Sequence, residues 1–336
     1  MLENPFVQFV LGLILLWYGA HLVVLATENF TKKFNFSPFV ASFVLIGFAT
    51  SSPEIFISII SSFEKNSAIA VGNAIGSNIA NVLLVLAICF LFLPQDIRMI
   101  DPESQSLFGY SNKRSIQIFF FALIFLTVIS FSMLLDHKLY KDESIIIIVV
   151  FLIMMGIMIF QFAKTTSSML IDLPTEEIKT EEQSQSSSNK IFVQLLFGLG
   201  VIIVGTEFLL SGAISIAKSI GVTTYIIGLS MTAIGTSLPE LATGLESVRK
   251  KNYGFVAGNI LGSNIFNIGI VLGLAGLIHP ATLEGSYLWL NIAMIILSTI
   301  IMYMFFTRNR DKIMYSIALG AIFFYIYYQT WLYGVN

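Results

Sequence analysis

Two short motifs place a glutamate inside a long apolar stretch of this chain. Residues 50–54 read Thr-Ser-Ser-Pro-Glu, and residues 236–240 read Thr-Ser-Leu-Pro-Glu. An ionised carboxylate among apolar side chains is costly to bury, so such a group usually faces a partner, a cavity or an ion. We therefore treat Glu54 and Glu240 as candidate cation ligands.

A second pair of motifs supplies further oxygen atoms. Residues 72–81 read Gly-Asn-Ala-Ile-Gly-Ser-Asn-Ile-Ala-Asn, and residues 258–267 read Gly-Asn-Ile-Leu-Gly-Ser-Asn-Ile-Phe-Asn. None of the four motifs contains His or Cys, which disfavours zinc and other softer metals. Carboxylate, hydroxyl and amide oxygens suit hard cations such as Ca²⁺, which takes about 6–8 oxygen ligands. The candidate donors besides the glutamates are Thr50, Ser51, Ser77, Asn81, Thr236, Ser237, Ser263 and Asn267. Two negative charges would be neutralised by one Ca²⁺ or by two or more Na⁺, so these residues leave the cation open.

The glutamate motifs also fit the start of a helix. Ser-x-x-Glu with Pro before the Glu is typical of a capping box with Pro in the first turn, and Ser51 to Glu54 and Ser237 to Glu240 both match it. A helix that restarts within a membrane span is a broken helix, whose free carbonyl groups are tolerated where they line a cavity. The two interpretations are compatible, and together they predict that each glutamate marks a helix break and faces an ion.

The motifs belong to an internal repeat with a constant offset. Glu54 and Glu240 are 240 − 54 = 186 residues apart, and Asn81 and Asn267 are 267 − 81 = 186 residues apart. Residues 47–86 and 233–272 share 16 identities in 40 ungapped positions. At the same offset, Gly12 and Gly19 align with Gly198 and Gly205, and His21 aligns with Glu207. One offset maintained across all of these positions indicates duplicated halves.

Composition indicates that these motifs lie in a membrane protein. The chain is 336 residues long, 56% hydrophobic and 11% charged, whereas soluble domains carry about 25% charged residues. A bilayer needs about 20 apolar residues per spanning helix, and continuous runs exclude the alternating pattern of a transmembrane barrel. The predicted spans are 6–30, 37–63, 67–93, 115–135, 144–163, 191–217, 223–248, 254–278, 285–306 and 312–333.

An odd number of spans per half sets the expected architecture. Five spans in each half give the halves opposite orientations, as in the inverted repeats of secondary transporters. We predict an all-α membrane protein with ten transmembrane helices as two inverted-topology five-helix repeats, residues 1–163 and 191–336. The polar stretch 164–190 is expected to be a flexible linker.

Basic residues predict the orientation. Of the 18 Lys and Arg residues, 4 fall in loops on the N-terminal side and 14 fall on the opposite side. The positive-inside rule makes the second side cytoplasmic, which puts both termini outside and the linker inside. The N-terminus carries no basic region before its apolar run, so a first spanning helix is favoured over a cleaved signal. A net charge of −2 gives no case for nucleic acid.

The four motifs together resemble the alpha-repeats of sodium/calcium exchangers of the prokaryotic type, over residues 47–86 and 233–272. The resemblance implies antiport in which Na⁺ entry drives Ca²⁺ export across the plasma (inner) membrane, with spans one and six sliding to alternate access. It implies that Glu54 and Glu240 are the central Ca²⁺ ligands, with carbonyl groups from Thr50 and Thr236. The remaining sites implied are Na⁺ ligands at Ser51, Ser237, Ser77 and Ser263, the central Asn81 and Asn267, and backbone carbonyls at Gly47 and Ala233.

One departure and several alternatives accompany this resemblance. Position 267 is Asn where many relatives have Asp, which makes potassium-dependent exchange less favoured. A H⁺/Ca²⁺ exchanger, or an exchanger of another divalent cation, is the alternative transporter, and an uncoupled channel or a sensor is less favoured. No nucleophile with a base and no zinc-ligand set is visible, so we expect no enzyme and no cofactor. The expected partners are Ca²⁺, Na⁺ and lipid, without an obligate protein partner.

Overall fold

The chain folds almost entirely into helices. The computed structural model describes residues 4–34, 36, 38–94, 112–171, 187–220, 235–282, 288–308 and 311–332. In the first half the helices are α1 (Pro5–Phe34), α2 (Pro38–Ala41), α3 (Gly47–Thr50), α4 (Ser52–Phe63), α5 (Ser67–Ala80), α6 (Ala87–Leu91), α7 (Asn112–Met133) and α8 (Lys141–Ile171). In the second half they are α9 (Ser188–Ser219), α10 (Leu238–Arg249), α11 (Tyr253–Phe266), α12 (Leu272–Ile278), α13 (Leu288–Thr307) and α14 (Lys312–Leu332).

Short π-helical segments interrupt three of the membrane-length helical stretches. They span Ser42–Ile46, Asn81–Leu86 and Asn267–Val271. The last two are repeat-related, since each begins at the asparagine that ends the second motif of its half. A π-helical turn inserted in an α-helix often marks a functional site. These two positions are therefore structurally special as well as chemically polar.

Eight described helical stretches are long and apolar enough to cross a membrane, with hydropathy and length as the criteria. They are Pro5–Phe34, Pro38–Phe63, Ser67–Leu91, Lys141–Phe160, Ser188–Ile216, Tyr253–Ile278, Trp289–Thr307 and Lys312–Trp331. The predicted span 115–135 corresponds to a shorter apolar helix, Gln117–Met133. The predicted span 223–248 lies partly outside the described residues and is seen as α10, so the count of ten remains a prediction.

Burial separates central spans from peripheral ones. Within an 18-residue apolar stretch of each span, 78% of the residues are buried in Ser67–Leu91 and 83% in the repeat-related Tyr253–Ile278. In Lys141–Phe160 the share is 28%. Large apolar side chains such as Phe121 and Phe323 are exposed on outer helices, as expected for surfaces that face lipid. The spans that carry the second motifs therefore form the centre of the molecule.

Helices α1 and α9 pack against each other along their lengths. The approach is close at glycines: a Cβ at Gly19 would lie 2.8 Å from Ile202, and a Cβ at Gly205 would lie 2.6 Å from the backbone nitrogen of Leu16. Small residues permit this kind of backbone contact between membrane helices. The aligned glycines of the repeat thus hold the two repeat-related first helices together.

Contacts between loops group the helix ends into two sides. A two-stranded antiparallel pair, β1 (Lys138–Leu139) with β2 (Ala281–Thr282), lies on one side, where the Ser67 hydroxyl also donates to the His279 carbonyl. Lys250 is paired with Glu28 on the other side. These groupings agree with the alternation of loops expected from the sequence.

Candidate cation site

Each buried glutamate lies in the first turn of a helix that follows a break. In the first half, α3 ends at Thr50, Ser51 forms the break and α4 begins at Ser52. In the second half, Ser237 immediately precedes α10. The predicted restart of a helix at each motif is confirmed.

The predicted capping boxes are wrong. Neither Ser51 nor Ser237 makes a side-chain capping bond, and their hydroxyl oxygens have no hydrogen-bond partner among the described residues. Their backbone angles are φ −79°, ψ −1° and φ −93°, ψ 1°, whereas a capping serine has an extended backbone that turns its hydroxyl toward the helix. The serine and glutamate oxygens are therefore not used by the helix ends.

The two carboxylates are fully buried. Glu54 and Glu240 are both 0% exposed, and neither carboxylate has a hydrogen-bond partner in the part of the chain that the structure describes. They interact electrostatically with each other. Burying two unpaired like charges together is very costly in a low-dielectric interior, so the carboxylates require either a bound cation or a proton.

Hydroxyl groups surround each carboxylate, and they come from both halves. Ser77 and Thr236 lie near Glu54. Their counterparts at the 186-residue offset, Ser263 and Thr50, lie near Glu240. Each glutamate is therefore flanked by a serine of its own half and a threonine of the other.

These hydroxyls also bond to one another across the repeat. Thr50 Oγ1 lies 3.0 Å from Ser263 Oγ, and Ser77 Oγ lies 3.3 Å from Thr236 Oγ1. Gly47 lies at the same place, since its carbonyl accepts from Ser263 at 3.4 Å. Ala233, the predicted counterpart of Gly47, lies outside the described residues.

Four asparagines make a second set of contacts between the halves. Asn81 Nδ2 donates to Asn264 Oδ1 at 3.1 Å, and Asn267 Nδ2 donates to Asn78 Oδ1 at 3.1 Å. Asn81 and Asn267 follow Ser77 and Ser263 by four residues, which places each pair on one helix face. The Oδ1 atoms of Asn81 and Asn267 have no hydrogen-bond partner among the described residues.

Asn259 is a supporting residue that the sequence did not single out. It is 1% exposed, accepts from Thr50 Oγ1 at 3.1 Å and donates to Thr243 Oγ1 at 3.0 Å. It thereby connects the break before α4 to α10. The signal was present in the sequence, because Asn259 and Asn73 occupy the same place in the two second motifs.

The arrangement can coordinate a hard cation with oxygen atoms. It places Ser77 and Thr236 beside Glu54, and Thr50 and Ser263 beside Glu240. Ser51, Ser237, Asn81 and Asn267 are also buried. Over the described ranges, no group of three or more His, Cys, Asp or Glu could hold a metal ion.

A polar cluster outside the site connects α1 to the end of α10. Glu246 Oε1 is 2.8 Å from His21 Nδ1, and Glu246 Oε2 accepts from Arg249 Nε at 2.6 Å. The Arg249 guanidinium also lies over the Trp17 ring, 5.8 Å from its centroid. The partner of His21 is therefore Glu246, while Glu207, the residue aligned with His21, is exposed.

Comparison with known proteins gives a consistent result. The family model described as "Sodium/calcium exchanger protein" matches residues 4–160 and 190–334. The inner membrane protein YrbG of Escherichia coli is 31% identical over 82% of this chain and 80% of its own. The sodium/calcium exchanger MaX1 of Methanosarcina acetivorans is 27% identical over 97% of this chain and 100% of its own.

Among solved structures, the chain resembles the sodium-calcium exchanger NCX_Mj soaked with Na⁺ and Sr²⁺. The TM-score is 0.73 at 28% sequence identity, and the match covers 97% of this chain and 98% of that one. The family model, the membrane-length helices and the repeated oxygen-rich site lead to one conclusion. This chain belongs to the sodium/calcium exchanger protein family.

Proposed function

We propose that the chain is a secondary antiporter that exchanges Na⁺ for Ca²⁺ by alternating access, with Na⁺ entry driving Ca²⁺ export. The observation that carries the proposal is the pair of fully buried glutamates without hydrogen-bond partners among the described residues. The relatives named as sodium/calcium exchangers support the choice of ions.

Each donor has a proposed role. Glu54 and Glu240 bind Ca²⁺ centrally, with backbone carbonyls of Thr50 and Thr236. The proposed Na⁺ ligands are the hydroxyls that surround or precede the glutamates. They are Ser51, Ser77, Ser237 and Ser263, with the amide oxygens of Asn81 and Asn267 at the centre and the carbonyls of Gly47 and Ala233 at the margin.

Buried charge explains why the exchange would be coupled. Two adjacent carboxylates without a counter-ion carry a desolvation penalty and repel each other. One Ca²⁺ or two or more Na⁺ relieve both costs, and the two loads compete for the same oxygens. The change between the two alternating-access conformations is then favoured when ions occupy the site and disfavoured when the site is empty.

The proposed architecture has ten spans in two inverted five-helix repeats, 1–163 and 191–336. The cross-half contacts at the 186-residue offset support it, as do the loop groupings at the two ends. We infer that both termini face outward and that the linker 164–190 is cytoplasmic, because 14 of 18 basic residues fall on that side. The match to an inner membrane protein supports the plasma membrane as the location.

A gradient-swap experiment tests this function. Purified protein is reconstituted into liposomes, and ⁴⁵Ca²⁺ uptake is measured under an outward Na⁺ gradient, an outward H⁺ gradient or no countergradient. We expect uptake under the Na⁺ gradient alone. Uptake that needs the H⁺ gradient would establish the proton exchanger instead, and uptake without any countergradient would establish a channel.

A further inference from the structure

The four central asparagines form two crossed pairs, and each pair joins the halves. In each half, one asparagine donates its amide and the one a helical turn earlier accepts. The donors are Asn81 and Asn267, at the start of the π-helical segments, and the acceptors are Asn264 and Asn78. The offset of 186 residues relates donor to donor and acceptor to acceptor.

Bond direction fixes which end of each donor amide faces away from its partner. An asparagine side chain carries an oxygen that only accepts and an NH₂ group that only donates. Because Asn81 and Asn267 use their NH₂ groups on the acceptor asparagines, their oxygens are directed elsewhere. Those oxygens have no hydrogen-bond partner among the described residues.

A backbone atom anchors this orientation in one of the pairs. Asn78 Nδ2 donates to the Asn264 backbone carbonyl at 3.0 Å, and a carbonyl can only accept. The Asn78 amide therefore has its NH₂ toward the Asn264 backbone and its oxygen toward Asn267. Both acceptor asparagines are 3% exposed, so water has little access with which to compete.

We propose that Asn78 and Asn264 are positioning residues, which hold the amides of Asn267 and Asn81 with the oxygen toward the transported cation. The inference rests on the proposed function, because it assumes that those two oxygens meet the ion. A reversed amide would present its partially positive NH₂ group to the cation, which would weaken binding. Neither positioning residue needs to touch the ion itself.

Matched substitutions at the two acceptors test the proposal. Asn78→Leu and Asn264→Leu remove the acceptor, whereas Asn78→Gln and Asn264→Gln keep an amide oxygen for the partner's NH₂ group and add no charge. Asn73→Leu on the same helix as Asn78 is the control, because its Nδ2 has no partner among the described residues. The readouts are equilibrium ⁴⁵Ca²⁺ binding to detergent-purified protein, the KM and maximal rate of exchange, and the thermal unfolding of each variant.

We expect both leucine variants to weaken Ca²⁺ binding and raise the KM for Ca²⁺ by about tenfold. The glutamine variants should stay within about threefold of wild type, and the control should match wild type. Equal losses in the leucine and glutamine variants would overturn the proposal, and so would leucine variants that bind Ca²⁺ normally. If a leucine variant does not fold, the alanine variant at that position is judged by the same criteria.

Failure of the proposed function would look different. In that case wild-type protein would show no Na⁺-driven exchange, and the same set of variants would be compared by equilibrium binding of ⁴⁵Ca²⁺ and ²²Na⁺. The difference between leucine and glutamine variants would still decide the positioning roles.

Discussion

The helices that carry the two buried glutamates, α4 and α10, occupy the same place in the repeat but are held by different contacts. On α10, Thr243 bonds to Asn259, and Glu246 bonds to His21 on α1. The residues of α4 at the same offset are Ile57 and Ile60, which cannot form such bonds. The two glutamates occupy equivalent positions in the repeat, but the helices that carry them differ in their hydrogen-bond partners.

Helix α4 makes its hydrogen bond to a different part of the molecule. Ser58 donates to the Val271 carbonyl at 2.7 Å, which joins α4 to the π-helical segment of the other half. Helix α1 packs against α10, whereas among the described residues α9, the repeat counterpart of α1, does not pack against α4 in the same way.

The two halves therefore share the same oxygen-bearing residues but differ in the contacts that hold their glutamate helices. Oxygen donors recur at the same offset in both halves. The bonds that attach a glutamate helix to its neighbours occur mainly on α10 and connect it to α1 and α11. Substitutions at the glutamates should therefore have equal effects in the two halves, and substitutions behind them should not.

The largest effect is expected at the glutamates themselves. Glu54→Gln and Glu240→Gln each remove one of the two charges that attract the cation, and losing one partner of a buried charge pair costs about 2–5 kcal/mol. Exchange measured as ⁴⁵Ca²⁺ flux should fall about a hundredfold or more in both variants. Wild-type flux in both would remove the central role of the site, and a loss in only one would contradict the equivalence.

The sequence was sufficient to predict this part of the site. Apolar flanks predicted burial of Glu54 and Glu240, and the constant offset predicted that their surroundings would be related. The capping boxes failed because a spacing rule does not give the backbone angles of Ser51 and Ser237, which stay near helical values instead of extended ones.

Long-range pairing was the part that the sequence could not predict. His21 and Glu246 are 225 residues apart, and the 186-residue offset aligns His21 with Glu207, which does not reveal this contact. The crossed asparagine pairs likewise depend on how two central helices meet, and the π-helical turns that begin at Asn81 and Asn267 have no distinct composition. Hydropathy predicted most membrane helices well, because length and apolar content suffice for that purpose.

The second-largest effect is expected at Asn259, which bonds α11 to α10. Asn259→Leu leaves Thr243 and Thr50 each without one hydrogen bond in a buried position, which should cost about 1–2 kcal/mol of stability. Asn73→Leu at the matching position should cost less than about 0.5 kcal/mol, because its side chain is partly exposed and its Nδ2 has no described partner. Thermal unfolding of both variants in detergent measures the difference, and equal destabilisation would contradict the asymmetry.

A smaller effect is expected where α10 meets α1. Glu246→Gln removes the carboxylate that binds His21 and Arg249, but the Arg249 side chain is 54% exposed. Solvent screening therefore keeps the effect small, and we expect a modest shift away from the arrangement in which α1 contacts α10.

Trp17 provides the measurement for this shift. The chain has 3 tryptophans, so Trp289→Phe and Trp331→Phe leave Trp17 as the single reporter beside Arg249. In that background, Glu246→Gln should increase the quenching of Trp17 by acrylamide, and Ile60→Ala on α4 should leave it unchanged. Identical quenching in all three proteins would show that the polar cluster does not hold α1.

The smallest effect concerns a single hydroxyl and tests whether the asymmetry can be transferred. Thr243→Val removes one hydrogen-bond acceptor from Asn259, which retains the Glu240 carbonyl at 3.3 Å, so the loss of stability should be about 0.5–1 kcal/mol. The reciprocal Ile57→Thr places a hydroxyl at the matching position of α4, where the Nδ2 of Asn73 has no described partner. If the repeat geometry is equivalent there, the new bond should offset most of the weaker apolar packing of the threonine, and thermal unfolding should change little. A destabilisation as large as that of Thr243→Val would mean that α4 and Asn73 are too far apart to bond, and the difference between the halves would then lie in backbone placement as well as in side chains.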